Sequence, residues 1–217
     1  MSEILTKVRE FARKYLEQYD PSHDYAHVLR VEKNALRIAA EENYQGDLEV
    51  IQIASLLHDV GDHKYTGNET DGVKIVTEFL KSVNYPKEKI DRVCFVHSHI
   101  SFKNELDKPI KNNIELNIIV DSDRLDAMGC IGILRAFTYS AIKNIPFYID
   151  GAKPRNNLDK DTYMKKEENC TISHFYEKLL RLKDLMRTET GKKMAEQRHQ
   201  YMEEFLVQFY KEWYCKI

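Results

Sequence analysis

Cysteine, proline and glycine are scarce here, with four, five and eight of them in 217 residues. Cys94, Cys130, Cys170 and Cys215 lie far apart and form no CxxC pair, so neither a zinc knuckle nor a disulfide framework is indicated. Free thiols suit a reducing compartment, and a cytoplasmic location is the expectation. No run approaches the ~18 consecutive apolar residues of a membrane span. The opening "MSEILTKVREFARKYLEQY" is amphipathic, with charges too frequent for a signal peptide. A formal net charge of −2 offers no global attraction for nucleic acid or an anionic membrane, and no basic-aromatic stripe supplies one locally. The basic pairs Lys165-Lys166 and Lys192-Lys193 have acidic neighbours and read as solvated faces.

What is present is helical periodicity. Ile4, Leu5, Val8, Phe11, Ala12, Tyr15, Leu16 and Tyr19 repeat at the spacing of one buried helix face. Asp20-Pro21-Ser22 offers a stop and a new N-cap before a second helix carrying Val28, Val31, Ala35, Ile38 and Ala39. Gly46-Asp47 precedes a third, from Leu48 to about Asp59. Thr70 or Asp71 caps a fourth through Val73, Val76, Phe79 and Leu80, and Pro86 opens a fifth through Ile90, Val93 and Val96. A sixth runs from Ile114 to Leu125, and a seventh places Ile131, Leu134 and Phe137 inward. Pro146, Gly151, Pro154 and Asn156-Asn157 mark a loop or lid at about 144–166. Two long helices close the chain at about 168–214. One carries Ile172, Phe175, Leu179, Leu182 and Met186; the other carries Met194 to Trp213, with Gly191 at the break between them. With no strand pair, repeat or linker, residues 1–217 read as a single all-α domain, its chemical core at about 20–130.

That core concentrates histidine and aspartate on apolar helices. His23 and His27 in "HDYAHVLRV" lie four apart and share a helix face. His58 and Asp59 follow Ile51, Ile53, Ala54, Leu56 and Leu57. In "IIVDSDRLDAMG", Asp123 is four residues after Ile119 and seven after Leu116, on the buried stripe, and Asp121 is a second candidate three after Ile118. A buried carboxylate needs compensation. One divalent ion compensates His27, His58, Asp59 and Asp123 together. Two imidazoles and two carboxylates suit Mn²⁺, Fe²⁺, Co²⁺, Ni²⁺ or Zn²⁺ rather than Ca²⁺. Four protein ligands leave positions for water and a substrate oxygen on an ion that prefers six.

The pattern H…HD…D, here His27, His58-Asp59 and Asp123, resembles the HD superfamily of metal-dependent phosphohydrolases. "LLHDVGD" and "DSDRLDAMGCIG" carry the likeness more specifically than the bare pair. It extends into "HFYEKLLRLKDLM…TETGKKMA…RHQYMEEFL", and so over nearly the whole chain. The chain looks most similar to the small single-domain members that resemble nucleoside-triphosphate pyrophosphohydrolases. The resemblance implies an all-helical bundle, one metal ion and a nucleotide substrate.

Phosphoryl hydrolysis also needs a proton carrier near the ion and donors for the phosphates. Asp62, one turn after His58, is the expected carrier; related HD nucleotidases have a glutamate at the comparable place. His97 and His99 lie two apart, so only one can face the site, as a phosphate contact or proton relay. Lys64, Arg30 and Arg124 are the expected phosphate donors, with Lys153 and Arg155 closing from the loop. His23 is expected to touch substrate or steady a ligand imidazole, and His174 and His199 to be structural. The favoured reaction is cleavage of a (deoxy)nucleoside triphosphate to monophosphate and pyrophosphate. A 5'-nucleotidase, or a module that binds nucleotide or metal without turnover, is the alternative. The apolar C-terminal helices leave room for a homodimer seam.

Overall fold

The computed structural model describes residues 2–61, 71–100, 113–152, 154 and 170–216, and every regular element among them is a helix. They are α1 (Glu3–Leu16), α2 (Tyr25–Glu41), α3 (Leu48–Leu57), α4 (Asp71–Ser82), α5 (Lys87–His99), α6 (Ile114–Asp126) and α7 (Gly129–Ile142), then α8 (Thr171–Glu177), a 3₁₀ segment (Leu179–Leu185) and α9 (Glu189–Trp213). Chain contacts fall into two compact units, Met1–Ser122 and Asp123–Ile217, with the division inside α6.

In the first unit α3 is the hub and packs against α1, α2 and α5. It is apolar nearly all round, and Val50, Ile51, Ile53, Ala54, Leu56 and Leu57 are all buried, as an all-round hydrophobic helix must be. Side-chain caps fix where these helices begin. Ser2 Oγ accepts from Leu5 N–H, Asp24 from His27 N–H and Asp47 from Glu49 N–H, each satisfying a donor the helix leaves open. The cap of α2 is thus Asp24 rather than the Asp20–Ser22 stretch. Asp20 Oδ1 instead accepts from Ser22 N–H at 2.9 Å, closing a local turn. The one buried carboxylate of mid-α2, Glu32, accepts from Arg9 Nη2 at both oxygens, at 2.6 and 2.7 Å, and from Gln52 Nε2 at 2.9 Å.

In the second unit α9 packs on α7 and on the 3₁₀ segment, and α8 on α7. Two expectations change here. The helix expected through Ile172–Met186 is two pieces, because Leu179 and Leu182, both buried, repeat at three residues and suit 3₁₀ winding. The break before α9 is made by Thr188, whose Oγ1 accepts from Gly191 N–H at 2.9 Å; Gly191 itself sits buried in the first turn. On α7 the buried residues are Gly129, Gly132, Ile133 and Ser140, while Ile131 and Leu134 are exposed. Apolar residues lie on both sides of that helix, so spacing alone did not select its inner face.

Candidate metal centre

Each ligand candidate is set by a helix end. Asp24 caps α2 and so fixes His27 in the first turn, where the ring is 1% exposed. α3 stops at Leu57, His58 is its C-cap, and Asp59 begins the turn that follows. His27, His58 and Asp59 are all buried, and one ligand atom from each lies within 4.8 Å of the others. His27 Nε2 stands 3.4 Å from Asp59 Oδ2 and His58 Nε2 stands 3.3 Å from Asp59 Oδ1. The two imidazole rings are 5.1 Å apart and inclined at 73°.

Those separations exceed the ~2.8 Å of a charge-assisted hydrogen bond. They match donors sharing an ion: two atoms each about 2.1 Å from a common metal, at roughly tetrahedral or octahedral angles, stand about 3–3.5 Å apart. The proton on His58 is placed to suit. Nδ1 lies 2.8 Å from the Ser55 carbonyl and must donate to it, which leaves the neutral ring's lone pair on Nε2. Burial pushes the Asp59 carboxyl up, but its interactions with the imidazoles of His58 and His27, and with His23, outweigh this and hold the group well below the usual carboxylate range. Asp59 is therefore an anionic ligand. The residues fit a divalent ion.

Asp123 belongs to the second compact unit. Its stripe assignment is corrected: Asp121 is fully buried, whereas Asp123 is only half-buried. α6 is buried on nearly every side, so an i, i+4 relation to Ile119 did not discriminate. Arg135 Nη1 pairs with Asp126 at 3.3 Å, and Arg198 donates to the Leu125 carbonyl, so the turn after Asp123 is tethered from α7 and α9. Arg124, expected as a phosphate donor, is buried with Nη1 donating to the Leu185 carbonyl.

His23 is not on α2 but precedes its cap; its ring is 6.2 Å from that of His27 and its Nδ1 is 2.7 Å from Ser22 Oγ. Arg30 is half-buried on α2. His97 Nε2 lies 2.9 Å from the Val60 carbonyl, and His99 Nδ1 lies 2.7 Å from the Phe95 carbonyl with its ring against Phe95. Asp62, Lys64, Lys153 and Arg155 lie outside the described residues. The sequence reading missed Tyr19, a buried residue whose phenol is pushed up by burial and Tyr15, with the Gly61 backbone and Asp59 among its neighbours. Its place on the apolar stripe of the N-terminal segment gave no sign of this.

The HD domain family model matches residues 24–128, a span holding all four ligand candidates. A solved HD-superfamily hydrolase from Bacillus thuringiensis is 36% identical, with 97% of each chain covered and a TM-score of 0.74. The chain belongs to the HD superfamily. YpgQ of Bacillus subtilis is 32% identical over 209 residues, covering 95% of this chain and 92% of YpgQ. The structure of YpgQ in complex with ADP aligns with a TM-score of 0.74, covering 96% of this chain and 97% of that one at 30% identity. A Lactobacillus plantarum protein of solved structure aligns at 0.86, with 31% identity and 99% of each chain covered. HD domains hold divalent metals, and this chain carries the HD pair as His58-Asp59 inside a buried three-ligand cluster. It is an HD-superfamily hydrolase by relationship.

Proposed function

We propose that the protein is a divalent-metal-dependent phosphohydrolase that cleaves (deoxy)nucleoside triphosphates to monophosphate and pyrophosphate. The observation that carries the reading is the buried His27–His58–Asp59 cluster, whose separations fit a shared ion. ADP bound to the related YpgQ supports a nucleotide as substrate. Asp123 is the fourth ligand, and residues 1–217 act as one functional domain. A Mn²⁺, Fe²⁺, Co²⁺, Ni²⁺ or Zn²⁺ ion in this site would supply a water of lowered pKa and neutralise phosphate charge.

The chain's own residues then divide the remaining work. The Ser55 carbonyl holds His58 in the tautomer that presents Nε2. Asp59 stays ionised beside it. Asp62 carries the proton, with His99 as its relay, and His23, Arg30 and Lys64 orient the phosphates. Lys153 and Arg155 supply further donors to the triphosphate. Exposed Leu134 on α7 and Tyr201 and Val207 on α9 provide apolar surface for a homodimer. Light scattering on the eluting protein should give twice the chain mass, and a monomer mass rejects the dimer.

The test is a product analysis. Metal-stripped protein is reloaded with each ion and offered nucleoside mono-, di- and triphosphates. Pyrophosphate and monophosphate from a triphosphate are expected. Orthophosphate from monophosphates would make the protein a 5'-nucleotidase, and metal uptake without turnover a binding module.

A further inference from the structure

The turn that carries the HD pair is fastened at its far end by three groups that the chemistry above does not use. Val60 and Gly61 follow Asp59 directly. Gly61 has φ +74°, and a Cβ there would lie 2.5 Å from the Gly72 Cα, so the turn and the first residues of α4 touch backbone to backbone. A Cβ on Gly72 would in turn lie 2.5 Å from His97 Cε1 and 2.8 Å from the Val60 oxygen. His97 Nε2, 2.9 Å from that oxygen, has to donate, because a carbonyl only accepts.

We infer that His97 is a positioning residue: through the Val60 carbonyl, and against Gly72, it locks the turn that aims Asp59 and His58 at the metal. The inference rests on the metal reading of the His27–His58–Asp59 cluster. It assigns His97 a task other than proton transfer. An imidazole suits the position, being rigid and reaching from α5 across the small Gly72 to a carbonyl one residue beyond a ligand. Groups one step removed from the ligands typically set metal affinity by about 10–100-fold.

The experiment measures Co²⁺ binding to metal-stripped full-length protein by calorimetry and by the Co²⁺ visible absorption spectrum. His97→Ala should bind about 10–100-fold more weakly with an altered spectrum. Gly72→Ala, which keeps His97 in the chain but sets a Cβ between its ring and the Val60 oxygen, should weaken binding in the same way. His97→Gln, whose amide N–H can reach the same oxygen, should recover most of the affinity. Thr188→Ala, destabilised elsewhere, should bind like wild type. Unchanged Co²⁺ affinity in both His97→Ala and Gly72→Ala overturns the inference. So does loss of turnover at unchanged affinity, which would make His97 a proton carrier. If His97→Ala does not fold, wild-type affinity in Gly72→Ala overturns the lock, and weakened binding there with retention in His97→Gln supports it. A wild-type protein that takes up no Co²⁺ sinks the metal reading itself, and this inference with it.

Discussion

At Asp59, burial and the neighbouring imidazoles pull in opposite directions, and the imidazoles prevail. A carboxylate held ionised between two imidazoles is a ligand waiting on a cation, and its removal should be decisive. Asp59→Ala is expected to abolish metal uptake and activity together. Asp62→Asn should keep the metal and lose turnover by about 10²–10⁴-fold, the usual contribution of a general acid or base; full activity in that variant would remove Asp62 from the mechanism. The depressed carboxyl also makes a pH prediction. Its folded-state value lies below the unfolded one, so the stability it contributes is complete above about pH 4 and is lost as pH falls further. Metal-free wild type should therefore lose stability more steeply below about pH 4 than Asp59→Asn does, as followed by thermal melts across that range.

The helices themselves were read well from spacing where one face is apolar. Leu5, Val8, Ala12 and Leu16 on α1, and Val28, Val31, Ala35 and Ile38 on α2, are buried as expected. Reading failed where both faces are apolar, as on α6 and α7, because periodicity carries no phase there. It also failed where a turn residue competes with a cap: Asp20, Pro21 and Ser22 all look like a helix start, yet Asp24 is the residue whose carboxylate meets His27 N–H. Caps are individually testable. Thr188→Ala should cost about 1 kcal/mol of stability through the lost bond to Gly191 N–H, measured by denaturant titration. Glu115, largely buried and bonded to Tyr44 at 2.6 Å and to Arg92, should cost about 1–3 kcal/mol when changed to alanine, since its partners lose a charged acceptor.

For the whole molecule, a ligand set that exists only in the folded chain ties metal binding to stability. A divalent ion at 100 times its dissociation constant should add about 2.7 kcal/mol. In a chain of this length that is a rise of roughly 5–10 °C in Tm. Chelator should reverse it, and Asp59→Ala should show no shift. An equal rise in that variant would place the ion elsewhere.

The sequence by itself determined that the chain is all-helical, which residue types could bind a metal, and the family whose order H…HD…D it follows. Those properties are local: helix periodicity, the chemistry of imidazole and carboxylate, and motif spacing are all written along the chain. Only the tertiary structure decided that Ser55 sets the tautomer of His58, that Arg124 is engaged on Leu185, and that Tyr19 neighbours Asp59. The reason is physical: backbone carbonyls have no letter in the sequence, and which side chain meets them depends on how helices pack. His97 illustrates it best. Its residue type advertised chemistry, and its position, 2.9 Å from the Val60 oxygen, assigns it to holding the turn on which that chemistry depends.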